Sequence, residues 1–92
     1  MSIPQITGID NALRIYYNHS EIGNKEIIDL FGRRSSATVV RLKQQVKDEM
    51  HKRGVPSFGL NNVNTAVAFE VWGIDINDLE TRKKKIQELK LA

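Results

Sequence analysis

The stretch from Asn24 to Gly54 leaves this chain few ways to fold. Ile27, Ile28, Leu30 and Phe31 supply the buried side of a short helix that Asn24 can cap. Gly32 follows where a chain leaving a helix commonly needs a positive φ, which costs glycine least. Ser35 or Ser36 can then cap a second helix by accepting from an otherwise unpaired backbone amide. Val39, Leu42, Val46 and Met50 recur along it at spacings of three and four, which makes one apolar stripe. Ser36, Ala37, Val40, Arg41, Gln44 and Lys47 share the opposite side. Gly54, with Pro56 just beyond, gives that helix its stop.

A short apolar helix, a glycine turn and a second helix led by small hydroxyl residues resemble the helix-turn-helix DNA-binding domains of small bacterial and phage regulators. Ile28 and Gly32, four apart, then Ser35, Thr38-Val39 and Leu42 carry the resemblance, over about a third of the chain. The family usually has one residue fewer between the turn glycine and the buried valine. Here Arg33-Arg34 stands where it usually has a single apolar residue. The resemblance implies base contacts in the major groove from Ser35, Ser36, Ala37, Val40, Arg41 and Gln44. Arg41 suits a guanine, Gln44 an adenine, and Ala37 or Val40 a thymine methyl. Arg33, Arg34, Thr38, Lys43 and Lys47 are then expected at phosphates, which position the protein without reading sequence. Double-stranded DNA is the implied partner, with a homodimer as a further expectation because paired half-sites multiply specificity.

Charge follows the same division. Residues 33–53 hold seven basic and two acidic side chains, whereas residues 1–32 hold two basic and four acidic. That concentration is the footprint expected of a phosphate-contacting surface, although solvated helix faces are also often rich in Lys and Arg. With 92 residues, 40% of them hydrophobic, a single domain is expected over 1–92. No apolar run approaches the ~20 residues a membrane helix needs. Met1 to Gln5 lacks the pattern of a signal peptide, and there is no cysteine. A cytoplasmic protein is expected.

The remaining segments read mainly as helices, giving an all-α fold: a three-helix core and two C-terminal helices. Thr7 with Asp10 three later has the form of a capping box. Ile9, Leu13 and Tyr16 or Tyr17 make the inner side of the helix it opens, and Ile22 packs under the connection that follows. Val63 to Trp72 fits a helix capped by Asn64 and ended by Gly73, yet Val67, Phe69 and Val71 also alternate as in a strand. The alternative is a winged helix, with a β-hairpin around 55–72 that pairs this segment with Val55 to Phe58. Asn77 with Glu80 caps a last helix, within a segment 74–92 that extends from the core, with Leu79, Ile86 and Leu89 as its apolar line. Phe31, Phe58, Phe69 and Trp72 are assigned to the core, and one of Tyr16 and Tyr17 to a phosphate or a partner subunit.

Enzyme chemistry finds no footing. His19 and His51 lie far apart without a carboxylate at ligand spacing, and no glycine loop leads to a Gly-Lys-Ser/Thr motif. No metal, cofactor or small-molecule ligand is expected. Sequence-specific DNA binding in transcriptional regulation is the expectation, with a DNA-packaging or recombination accessory factor using the same motif as one alternative. The other is a protein-interaction module that docks through the last helix or Val63–Trp72. The Arg82-Lys83-Lys84-Lys85 run reads as a solvated helix face, with an auxiliary phosphate contact or, with Leu79, Ile86 and Leu89, a dimer seam as its functional alternatives.

Overall fold

Caps and tertiary contacts together set where each helix begins. The computed structural model describes residues 3–59 and 61–91. Its elements are α1 (Ile9–Asn18), β1 (Glu21–Ile22), α2 (Asn24–Phe31), α3 (Ser36–Arg53), β2 (Val63–Asn64), α4 (Thr65–Val71) and α5 (Ile76–Leu91). The fold is all-α, with one small two-stranded ladder.

Ser35 caps α3, its Oγ accepting from the Thr38 amide at 3.2 Å. Gly54 closes the helix in the left-handed conformation (φ 69, ψ 29) while Val55 N donates to Met50 O at 2.9 Å. Asn64 caps α4 by accepting from Val67 N at 3.0 Å. Three expected caps are displaced. Thr7 does not open α1, whose N-cap is Gly8. The Thr7 hydroxyl donates instead to Asp29 O at 3.0 Å, and its amide to Leu30 O at 2.8 Å. The last carbonyls of α2, which have no partner within their own helix, draw it there. Asn24 is the first residue of α2 rather than its cap, which is Gly23, and the Gly23 amide donates to Glu26 Oε1 at 2.8 Å. Asp75, not Asn77, caps α5, accepting from Asn77 N at 2.9 Å and Asp78 N at 3.3 Å. Glu80 meets the Tyr17 hydroxyl instead.

The Val63–Trp72 segment combines both readings: two residues of strand, then a helix. β2 pairs antiparallel with β1 (Glu21↔Asn64, Ile22↔Val63), and among the described residues no ladder joins Val63–Trp72 to Val55–Phe58 as the hairpin alternative would require. Ile22 and Val63 are both fully buried, so this cross-strand pair belongs to the core. Phe58 lies outside the core, with 89% of its surface exposed. The Glu21 carboxylate accepts from the backbone amides of Phe58 and Gly59, and so commits this loop to the surface.

α1, α2, α3 and α4 enclose one core. Ile27, Leu30 and Phe31 enter it from α2, while Ile28 is exposed. Val39, Leu42, Val46 and Met50 enter from α3 as the stripe requires. Trp72, at the end of α4, stacks edge-on against Phe31 (centroids 5.2 Å apart) and donates from Nε1 to Leu42 O at 3.3 Å. Leu79 buries the start of α5 against α1, and Lys83 reaches Asp10 at 3.1 Å, but Ile86 and Leu89 are exposed, so the apolar line does not continue into the core. Among the described residues no helix is long and apolar enough to cross a membrane. Truncating a packed tryptophan typically costs ~3–5 kcal/mol, so Trp72→Ala is expected to lower the urea midpoint by that equivalent. Tyr17→Phe, which loses only an exposed hydroxyl contact to Glu80, is expected to shift it by less than about 1 kcal/mol in the same titration.

Candidate nucleic-acid interface

Helix α3 buries one stripe and thereby offers the opposite one. Ser36, Ala37, Val40, Arg41, Gln44 and Lys47 are all exposed, and Val40 keeps 64% of its surface in water. A valine so exposed is not packed against α1. The first turn carries no acidic side chain, so the positive end of the helix dipole is unopposed there. Ser35 is committed to its cap, and Thr38 is half-buried with its hydroxyl 3.0 Å from Ser35 Oγ. Arg33 and Arg34 project from the turn, both exposed. Gly32 takes φ 82 and ψ 172, and a β-carbon there would sit 3.4 Å from Thr7 Cγ2.

Lys43 corrects the expected phosphate set. Only 8% of its surface is exposed, and Nζ donates to Asn24 Oδ1 at 3.1 Å. Its position on α3 faces the start of α2, and its long aliphatic stem packs into the gap between the helices. Burial, with the nearby Lys47 charge as a second cause, holds the ammonium below its ordinary value of 10.5. Lys43 ties α2 to α3 and does not face a ligand.

Other cations are also committed. Arg53 bridges Glu49 at 2.9 Å and Glu70 beyond it, fastening the end of α3 to α4. Arg33, Arg34, Arg41 and Lys47 are exposed basic side chains around the stripe. Gln44 Nε2 donates to Asp48 Oδ1 at 2.9 Å.

Two features lie on this surface that the sequence reading left aside. His51 follows Gln44 and Lys47 at helical spacing and continues the stripe to the end of α3. Spacing alone could have found it. The loop around Ser57 to Gly59, with Asn61 and Asn62, forms with Lys47 and His51 the wall of an open concavity of about 460 Å³. Nothing local in sequence signals that approach. A second groove, about 680 Å³, lies away from α3 between Tyr16, Tyr17, Phe69, Glu70 and Asp75. Among the described residues no group of three or more His, Asp or Glu converges as a metal would require. Neither a protein-family model, nor a curated protein, nor a solved structure matches this chain.

A lysine that is harder to protonate folded than unfolded makes the unfolded chain the stronger proton binder between its two pKa values. Stability then rises with pH across that window, up to about 10.5. Comparing unfolding free energies from neutral pH towards 10.5, the rise due to Lys43 is expected in the unsubstituted protein and absent in Lys43→Met.

Proposed function

We propose that this chain binds double-stranded DNA sequence-specifically, with α3 lying in the major groove behind the Gly32–Ser35 turn. One observation carries the reading: the exposed stripe of α3 is short and uncharged through its first half and flanked by cations. Side chains as small as Ser36 and Ala37 let a helix backbone approach base edges, whereas long ones would hold it away. Val40 and Ala37 then meet thymine methyls, Arg41 grips a guanine bidentately, and Gln44 turns its amide from Asp48 to read an adenine. Arg33, Arg34 and Lys47 take phosphates, with the amino end of α3 adding its dipole.

A helix of 18 residues is about 27 Å long, more than the groove floor requires. Its far half is left for the backbone and for neighbouring segments. Transcriptional regulation in a bacterium, phage or mobile element fits a module of this size, as does a packaging or recombination role with the same docking. A cytoplasmic location accompanies either. The homodimer expected for such a module would use the exposed Ile86 and Leu89 of α5.

Titration of fluorescent duplex DNA against salt tests the reading. Each phosphate contact contributes roughly 0.9 to the slope of log affinity against log salt, so Arg33→Ala with Arg34→Ala is expected to flatten it by about 2. Lys43→Met, which removes a buried charge, leaves that slope unchanged. Arg41→Ala weakens discrimination for one guanine by about 1–3 kcal/mol in competition between duplexes. Absence of salt-dependent binding by the unsubstituted protein at micromolar concentration would remove DNA as the partner and leave a protein partner as the reading.

A further inference from the structure

The loop between α3 and β2 holds an aromatic ring out into water and fixes it there. Phe58 is 89% exposed, the reverse of what burial of apolar surface favours. Its backbone is tightly bonded: Glu21 accepts from Phe58 N at 2.6 Å and from Gly59 N at 2.8 Å. Ser57 Oγ donates to Gly59 O at 3.0 Å and to Asn62 O at 2.8 Å. The Asn62 side chain lies against Gly59, where a β-carbon would meet it. Glu21 belongs to β1, and β1 pairs with the strand that ends the loop. The ring is thus presented from a braced support.

The concavity beside it has a definite chemistry. Lys47, His51, Asn61 and Asn62 supply charge and hydrogen-bond donors, and Phe58 forms an apolar lip. Lys47 and His51 extend the Val40–Gln44 stripe, so the cleft continues the surface assigned above to DNA. A sugar-phosphate strand matches it, with phosphate oxygens towards the lysine and histidine. If α3 occupies the major groove, the strand crossing this cleft separates that groove from the minor groove, and Phe58 stands on the far side of the strand.

Resting on the DNA reading above, we propose that Phe58 is a wedge that enters the minor groove next to the α3 site, unstacks one base step and bends the duplex. Apolar side chains inserted in this way kink DNA towards the major groove, here over α3, and the ring leaves water as it enters. Pyrimidine–purine steps such as TpA unstack most easily, so the wedge adds sequence preference at a position that α3 does not touch.

Energy transfer between dyes at the two ends of a duplex of about 30 base pairs, with TpA steps spaced along it, tests this. The unsubstituted protein is expected to raise the transfer at saturation, and Phe58→Leu to preserve the rise. Phe58→Ala is expected to abolish it and to weaken binding about tenfold, with the salt slope intact because the phosphate contacts remain. Glu21→Ala, which keeps the ring but frees the loop, is expected to lose the bend as well. Binding without a change in transfer, or equal bending by Phe58→Ala, overturns the wedge and leaves the α3 reading in place. A parallel loss of salt slope in Phe58→Ala shows a structural role and also overturns it. Failure of the unsubstituted protein to bind any duplex overturns both.

Discussion

The Trp72 indole is the contact on which the position of α3 depends. Its ring edge meets Phe31, the last residue of α2, and its Nε1 donates to the carbonyl of Leu42 in the first half of α3. One side chain therefore relates the helix before the turn to the helix after it, from behind. Thr7 secures the other side by bonding the final carbonyls of α2. With both flanks held by packing, the turn itself carries little of the burden, and Arg33 and Arg34 both project outward from it. Unequal turn lengths are tolerable in a helix pair whose angle is set by packing rather than by the connection.

What could be read from the sequence was what depends on local periodicity. The α3 stripe, its Ser35 cap and its Gly54 stop all follow from residues within a turn or two of one another, and so does the Asn64 cap of α4. The displaced caps occur where several capable residues stand together, as in Thr7-Gly8, Gly23-Asn24 and Asp75-Ile76-Asn77. Choice among them is made by distant partners: Asp29 and Leu30 for Thr7, Lys43 for Asn24. The ladder was beyond reach for a similar reason. Two-residue strands show no alternation, and Glu21-Ile22 meets Val63-Asn64 only after the whole helix pair has been placed between them. Phe58 misleads because residue type suggests burial, while its backbone is claimed by a carboxylate from another part of the chain.

Charge illustrates the difference between composition and surface. The excess of basic residues in 33–53 suggests a uniformly cationic helix. In the fold, Lys43 is dehydrated against Asn24, and Arg53 is engaged with Glu49 and Glu70. Exposed basic side chains remain at the turn and along α3, Arg33, Arg34, Arg41, Lys47 and Lys52 among them.

The β1–β2 pairing also bears on how the chain reaches its fold. It joins segments about 40 residues apart, a closure that costs roughly 3 kcal/mol in chain entropy when the intervening chain is unstructured. Two residue pairs return little against that. Once α2 and α3 have docked, the same segments are already neighbours and the cost has largely vanished. The order this implies is helices first and ladder last, with opening in the reverse order. On that account the strands act as a latch that closes over the loop once α2 and α3 are in place.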